Sequence, residues 1–200
     1  MGLAGFLKEL RMIVNSYPDV RSIARRMFVT NSLDSIITAL GVSVGGYSPG
    51  GSPMLLALSV IGGGIAMGLI SAMLGVYLSE RAERMREYRE LERKLAASLK
   101  NSIYWRAAQI IPVYVALWSG IGATVFPIIV AAPFILTDAG LLPFQAAYYL
   151  SLVAGLGSLA FLGYYLARVS GESALHSVAR LLGMGLLAIA VVSVFKVAIA

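Results

Sequence analysis

The 200-residue chain contains no cysteine, a single histidine and only 13% charged residues. Without cysteine there is no disulfide, no cysteine-bound zinc or iron–sulfur cluster and no thiol nucleophile. One histidine likewise excludes a metal centre built from several imidazoles. Any metal site must use carboxylate, thioether, hydroxyl or carbonyl groups. We expect no permanently bound cofactor.

Hydrophobic residues make up 58% of the chain, above the roughly 45–50% of soluble domains. Several uncharged stretches approach or exceed the ~20 residues that a helix needs to cross a membrane. This composition predicts an all-α integral membrane protein and sets aside soluble enzymes and nucleic-acid partners, despite a net charge of +6. We place five transmembrane helices at residues 28–47, 54–78, 108–136, 145–167 and 179–198.

The charged residues divide the chain into four segments. Residues 1–24 are expected to form an amphipathic segment at the cytosolic membrane surface, with Pro18 in the first turn of the next helix. Residues 25–78 hold the first two spans, residues 79–107 a charged cytosolic helical extension, and residues 108–200 the last three spans. The apolar positions of the first segment recur at helical spacing: Leu3, Phe6, Leu7, Leu10, Ile13 and Val14.

The distribution of basic residues predicts the orientation. Fifteen of the 16 Lys and Arg residues lie in residues 1–27, in residues 79–106 and in the loop near residues 168–180. The positive-inside rule assigns these segments to the cytosol. Five crossings then leave the C-terminus outside, with Lys196 snorkelling at the far interface. Short termini without sorting segments favour a prokaryotic cell membrane.

Asp34 is the only ionisable residue well inside a predicted span. It lies ~9 Å from the cytosolic start of the first crossing, too deep for a short side chain to snorkel. A central Asp costs ~3 kcal/mol on insertion scales, so protonation, a partner or a water-filled path must compensate. The residues at helical spacing from it predict a polar face that meets protein or water: Asn31, Thr38, Gly41 and Gly45. A protonated carboxyl bonded to a backbone carbonyl is the structural alternative.

The second span offers a complementary surface. A ridge of small residues allows close approach of another helix: Gly64, Gly68, Ala72 and Gly75. Antiparallel packing of the two spans would bring Asp34 to the depth of Ala72 and Met73. Asp34 with hydroxyl, amide and thioether groups nearby could then hold a borderline cation such as Fe²⁺ or Mn²⁺, whereas a carboxylate alone would equally suit harder ions. These groups belong to Asn31, Thr38, Ser71, Met73 and Met67, although packing alone also explains each methionine.

Two segments resemble the vacuolar iron transporter family. Residues 25–34, RRMFVTNSLD, followed by Thr38 and Gly41, are similar to its first span. Residues 70–79, ISAMLGVYLS, are similar to its second span, which likewise continues into an acidic helix. The resemblance implies a homodimer of five-helix subunits with two-fold symmetry. It also implies export of Fe²⁺, or Mn²⁺, from the cytosol in exchange for protons, with Asp34 as the membrane aspartate.

Two positions depart from the family pattern. The family's second-span methionine falls on Ala72, with Met73 next to it, and a glutamate common among relatives is Gly64 here. Fewer acids leave less compensation for a divalent charge. The alternatives are a non-transporting membrane scaffold or metal-sensing subunit with the same fold, or a transporter of another substrate.

Four glutamates follow the second span at spacings of three, four and three, along one helix face: Glu80, Glu83, Glu87 and Glu90. One interpretation is a solvated face of i,i+4 ion pairs, such as Glu80 with Arg84 and Glu90 with Lys94. The other is a reduced metal-gathering surface, completed by a second subunit, in which Glu83 and Glu87 are the strongest candidates.

The run Gly41-Val42-Ser43-Val44-Gly45 matches the G-x-S-x-G pattern of serine hydrolases. That motif needs a strand-to-helix turn, whereas this run lies inside a predicted transmembrane helix without a histidine to activate Ser43. We therefore predict no enzymatic activity.

Overall fold

The computed structural model describes residues 3–199, and every regular element in this range is a helix. Met1 and Gly2 of the predicted N-terminal segment, and Ala200, lie outside the described residues. The elements in chain order are α1 (Leu3–Ser16), α2 (Pro18–Gly46), α3 (Pro53–Ile65), a π-helical segment (Ala66–Ala72), α4 (Met73–Leu95), α5 (Ile103–Asp138), α6 (Phe144–Ser170) and α7 (Ala174–Ile199).

Five helices are long and apolar enough to cross a membrane: α2, the continuous helix Pro53–Leu95, α5, α6 and α7. The prediction of an all-α integral membrane protein with five transmembrane helices is confirmed. In the segment 79–107, for which a charged helical extension was expected, α4 continues to Leu95 and α5 begins at Ile103. α5 alone has 36 residues. Its length of about 54 Å exceeds a hydrocarbon core of ~30 Å.

α5 is the central helix of the bundle. It lies against α1, α2, α3, the π-helical segment, α4 and α6. Its fully buried side chains include Ile111, Val115, Val130 and Phe134. α7 packs at the edge on α2 and α6 and leaves large apolar side chains exposed, among them Leu187, Val194 and Val197. An apolar outer surface of this kind is what a helix facing lipid requires.

α1 docks on the charged end of the bundle through its last turns. Ile13 and Val14 are buried in a cluster with Val20, Ala24, Ala107, Ile111 and Val115. Tyr17 separates the two helices, and Pro18 occupies the first turn of α2 as predicted. The segment thus turns part of its apolar face to the protein rather than to the membrane surface. The side chains of Leu3, Phe6 and Leu7 lie outside the described residues.

α5 runs through three internal prolines without a break: Pro112, Pro127 and Pro133. The ring of Pro127 fits into a notch that the second span leaves at Gly64. A Cβ atom on Gly64 would lie 2.5 Å from the Cβ atom of Pro127. The absence of a side chain at this position therefore lets the two spans approach each other closely.

Lys196 fastens the end of α7 to the end of α2. Its ammonium group donates hydrogen bonds to the carbonyl of Val44, at 3.1 Å, and to the carbonyl of Tyr47. It also lies 5.6 Å from the centre of the Tyr47 ring. The carbonyls at a helix C-terminus lack intrahelical donors and attract a cation, which accounts for this position of the ammonium group.

Candidate functional site

Asp34 is exposed on the outer surface of the single chain, about midway along α2. Within residues 3–199 its carboxylate meets no hydrogen-bond donor and no cation. The prediction that this side chain turns to its neighbours is therefore wrong for one subunit. The core-facing side of α2 is taken by other residues, which include Ser32, Ser35, Ile36 and Ala39.

Asn31 lies three positions before Asp34 on α2, and its side chain reaches α5. Its amide donates a hydrogen bond of 2.6 Å to the hydroxyl of Ser119, which is fully buried. The Ser119 hydroxyl in turn donates to the carbonyl of Ala72, at 3.4 Å, at the end of the π-helical segment. Asn31 thus ties three spans together, and its amide is engaged in this bridge rather than directed to Asp34.

Thr38 follows Asp34 by one turn and reaches the second span. Its hydroxyl lies 2.8 Å from the carbonyl oxygen of Asp34 and 3.5 Å from the sulfur of Met67. A hydroxyl has one proton to donate, and the shorter distance assigns it to the carbonyl. Met67 is therefore the thioether beside the Asp34 turn, one of two candidates from the sequence.

Met73, the second candidate, faces the third span. A Cβ atom on Gly120 of α5 would lie 3.2 Å from its sulfur, so the side chain packs on this glycine. Ser71 is exposed. Ser71 lies within the π-helical segment and Met73 follows it directly; hydrogen bonds there, such as Met73 N–H to Gly68 O, skip one residue more than in an α-helix. Face assignments based on a regular α-helix therefore do not carry over to this stretch.

The small-residue ridge of the second span faces α5 instead of α2. A Cβ atom on Gly68 would lie 2.7 Å from the hydroxyl of Thr124 and 2.9 Å from the backbone of Ala123. Gly64 meets Pro127 in the same way, whereas Gly75 has open space around it. The prediction that this ridge packs on the Asp34 face is wrong, because spacing along one helix does not identify the neighbour.

The two glycines of the predicted stripe on α2 face the fifth span. Cβ atoms on Gly41 and Gly45 would lie 3.7 and 3.4 Å from the side chain of Val192 in α7. Asp34 is thus exposed between two neighbours of α2, with Met67 on one side and α7 on the other. The run Gly41 to Gly45 is helical throughout, so the geometry of a hydrolase nucleophile elbow is absent there.

The acidic face of α4 is largely occupied by ion pairs. Glu80 and Glu87 both bind Arg84, at 2.9 and 3.0 Å, and Glu83 binds Arg86. Glu90 is exposed. Among the residues that the structure describes, no three His, Cys, Asp or Glu side chains are grouped so that they could hold a metal ion. Of the two interpretations of this face, the single chain favours the ion-paired one.

Arg84 links α4 to the start of α2, a contact that the sequence did not reveal. Its guanidinium is almost fully buried and also pairs with Asp19, at 2.6 Å. Burial by itself lowers the pKa of Arg84, but the hydrogen bond to Asp19 and the charges of Glu87 and Glu80 outweigh it, so that the pKa is raised. The cation therefore stays charged while it joins two helices at the charged end.

A small cavity of about 230 Å³ lies beside this cluster, lined by residues that include Tyr17, Tyr88 and Tyr104. The hydroxyl of Tyr88 donates to Glu92 at 2.6 Å, which raises the pKa of Tyr88 to about 12. Glu92 also accepts from the backbone amide of Leu99, at 2.8 Å. These contacts close the turn between α4 and α5.

The exposed Asp34 on α2 and the buried Arg84 cluster are thus two polar features of this bundle. No family model, curated protein or solved structure matches the chain. The resemblance of residues 25–34 and 70–79 to the vacuolar iron transporter family therefore stays a prediction.

Proposed function

We propose that the protein is a dimeric membrane transporter that exchanges a divalent transition metal, Fe²⁺ or Mn²⁺, for protons. The observation that carries this proposal is the position of Asp34, which is exposed on the surface of an apolar span. An Asp34 carboxylate that faced acyl chains would cost ~3 kcal/mol. Acids within membrane spans are characteristic of ion and proton pathways.

A second copy of the chain resolves this cost most simply. A two-fold axis along the membrane normal beside α2 would bring two Asp34 carboxylates together from identical faces. Two carboxylates balance the charge of one divalent ion. Without the ion, two like charges at short distance favour uptake of protons. Metal and protons then compete for the same oxygens, and this competition is the basis of an exchange mechanism.

The groups around Asp34 suit a borderline metal ion. The Thr38 hydroxyl and the Met67 sulfur lie one turn away. Ser71 adds an exposed hydroxyl on the second span. Oxygen donors alone would suit Mg²⁺ or Ca²⁺, whereas a thioether shifts the preference toward softer transition metals. The substrate proposed here is therefore Fe²⁺ or Mn²⁺, carried as cargo and released in each cycle.

The direction of transport follows from the basic residues. Fifteen of the 16 Lys and Arg residues lie in segments at the same end of the bundle, which the positive-inside rule assigns to the cytosol. The metal would enter from this end and displace protons from Asp34. Protons from the opposite side would then displace the metal, so that a proton gradient drives export.

Transport can be tested with the full chain in liposomes that contain a metal-sensitive dye. With an imposed pH gradient, we expect flux of Fe²⁺ or Mn²⁺ coupled to proton movement, and loss of that flux in Asp34→Asn. Asp138→Asn is the matched control, because Asp138 is an exposed acid at the end of α5. Flux that survives in Asp34→Asn, or is lost equally in Asp138→Asn, would contradict the proposal.

A second candidate is a non-transporting scaffold or metal-sensing subunit. It is favoured by the absence, among the described residues, of any group of three acids or histidines that could hold a metal. This candidate predicts a folded dimer without flux of Fe²⁺, Mn²⁺, Co²⁺ or Zn²⁺ in the same liposomes. Proton-coupled flux of a different solute would instead indicate a transporter with another substrate.

A further inference from the structure

We infer that the bundle has a selective binding site for an anionic phospholipid, separate from the proposed transport site. A groove of about 560 Å³ at the charged end is lined by side chains that include Arg21, Arg25 and Trp118. A second groove of about 550 Å³ lies next to it, deeper along α5 and α6. The rings of Phe28 and Phe161 line both, so the two grooves adjoin.

The mouth of this groove carries positive charge that the protein does not neutralise. Arg21 and Arg25 are exposed, and neither has a carboxylate within 4.0 Å in the part of the chain that the structure describes. Arg21 donates a hydrogen bond to the neutral Asn15. The acid at the start of α2, Asp19, is bound to Arg84.

The deeper part of the groove is apolar. Its walls contain a single hydroxyl, that of Ser158, which is already bonded to a backbone carbonyl of its own helix. From Tyr114 at the mouth to Ile129 at the deep end, the lining follows α5 for about 22 Å. One leaflet of a ~30 Å hydrocarbon core is ~15 Å thick. The groove is thus long enough for an acyl chain.

These two properties specify the occupant. An acyl chain fits the apolar walls, and a phosphate fits arginines, whose guanidinium groups bind phosphate oxygens through paired hydrogen bonds. A zwitterionic headgroup would bring a quaternary ammonium against the two unneutralised guanidinium groups of Arg21 and Arg25. Basic pockets between transmembrane helices select anionic headgroups for this reason. Trp118 and Tyr114, in edge-to-face contact at 6.4 Å, suit the membrane interface.

The groove is independent of the Asp34 face. Phe28 and Asp34 are six positions apart on α2, which places them about 120° apart around the helix axis. A dimer formed through Asp34 would therefore leave the groove open to lipid. The lipid site and the transport proposal can fail separately.

The position of Trp118 in the groove provides a direct measurement. The chain has two tryptophans, so Trp105→Phe leaves Trp118 as the only one. In this background, we would titrate phosphatidylglycerol with brominated acyl chains into phosphatidylcholine vesicles that contain the full chain, and record quenching of Trp118 fluorescence. Brominated phosphatidylcholine, which has the same quenching chains but a zwitterionic headgroup, is the control lipid. We expect the apparent affinity of phosphatidylglycerol for the groove to be at least about fivefold higher than that of phosphatidylcholine, as attraction by basic residues near the membrane surface implies.

Two kinds of variant locate the site. Arg21→Gln with Arg25→Gln should abolish the preference, while Arg89→Gln with Arg93→Gln, which removes the same charge from exposed positions of α4, should retain it. Gly157→Phe should weaken quenching by phosphatidylglycerol, because Gly157 lines the deep groove with no neighbouring atom within 4 Å of a Cβ. Equal quenching by both lipids, or a preference unaffected by the Arg21 and Arg25 changes or by Gly157→Phe, would overturn the inference.

Discussion

The sulfur of Met67 lies 3.5 Å from the hydroxyl oxygen of Thr38, one turn along α2 from Asp34. This contact distinguishes two methionines that are only six positions apart in the sequence. Met67 contacts Thr38 one turn from Asp34, whereas Met73 is packed on Gly120 in the third span. Only the first is placed to add a soft ligand to the proposed site.

The first prediction concerns these two methionines. Met67→Leu keeps the volume but removes the thioether, so we expect at least about tenfold weaker apparent affinity for Fe²⁺ or Mn²⁺. Met73→Leu should leave the affinity unchanged. The concentration dependence of metal flux in liposomes measures both. An equal effect of the two changes would show that the sulfur of Met67 has no special role.

The second prediction concerns glycine in the π-helical segment. Gly68→Ala would place a methyl group 2.7 Å from the Thr124 hydroxyl and 2.9 Å from the Ala123 backbone. Forcing the second and third spans apart should lower the free energy of unfolding by about 1–3 kcal/mol. Gly62→Ala is the control, because a Cβ atom there has no neighbour within 4 Å. Thermal unfolding in detergent should show a lower midpoint for Gly68→Ala alone.

The sequence predicts the number of spans better than the faces they present. A helix that crosses the hydrocarbon core needs about 20 apolar residues, so its position can be recognised directly in the sequence. The five long apolar helices coincide with the five apolar stretches, which are separated by charged or Gly/Pro-rich segments. Two polar residues of the predicted stripe around Asp34, Asn31 and Thr38, do contact polar groups or sulfur of other spans. The members of the stripe diverge to different neighbours, however, because Asn31 faces α5, Thr38 faces the second span and Gly41 faces α7.

Two structural features could not be predicted from the sequence. The π-helical segment contains ordinary membrane residues, and its altered register is what invalidates α-helical face assignments between Met67 and Met73. The pairing of Arg84 with Asp19 joins residues 65 positions apart. The acids on α4 predicted a local partner for Arg84, but a contact between distant helices depends on tertiary packing.

The third prediction concerns that contact. Arg84→Gln leaves Asp19, Glu80 and Glu87 without their shared cation, with Glu80 only 13% exposed. We expect a loss of about 2 kcal/mol in the free energy of unfolding. Arg86→Gln breaks the exposed pair with Glu83 and should cost less than ~0.5 kcal/mol. Similar losses in both variants would indicate that burial of Arg84 contributes nothing.

The fourth prediction is a pH dependence of the turn after α4. Hydrogen bonds from the Tyr88 hydroxyl and the Leu99 amide lower the pKa of Glu92 below its ordinary 4.5. A lowered pKa in the folded state means that this stabilisation is complete above the unfolded value and is lost as the pH falls through the folded value.

Amide hydrogen exchange at Leu99 measures this effect. Its protection should decrease between about pH 6 and about pH 3 after correction for the intrinsic exchange rate. Glu92→Gln keeps a neutral acceptor and should remove the pH dependence. If the variant retains the wild-type pH profile, ionisation of Glu92 does not control the turn.

The last prediction tests the subunit interface on which the proposed exchange depends. The natural chain has no cysteine, so a single introduced cysteine gives an unambiguous cross-link. If two Asp34 side chains face each other across a two-fold axis, Asp34→Cys, and Thr30→Cys one turn away, should form covalent dimers with a short bifunctional maleimide in membranes. Val153→Cys is equally suited to labelling, being 64% exposed on α6, but lies on a different helix and should stay monomeric on denaturing gels. Labelling with a monofunctional maleimide checks that all the thiols are accessible.

Cross-linking through Val153 and not through Thr30 or Asp34 would place the subunit interface on another face of the bundle. Asp34 would then face lipid or another partner, and a two-carboxylate site could not form.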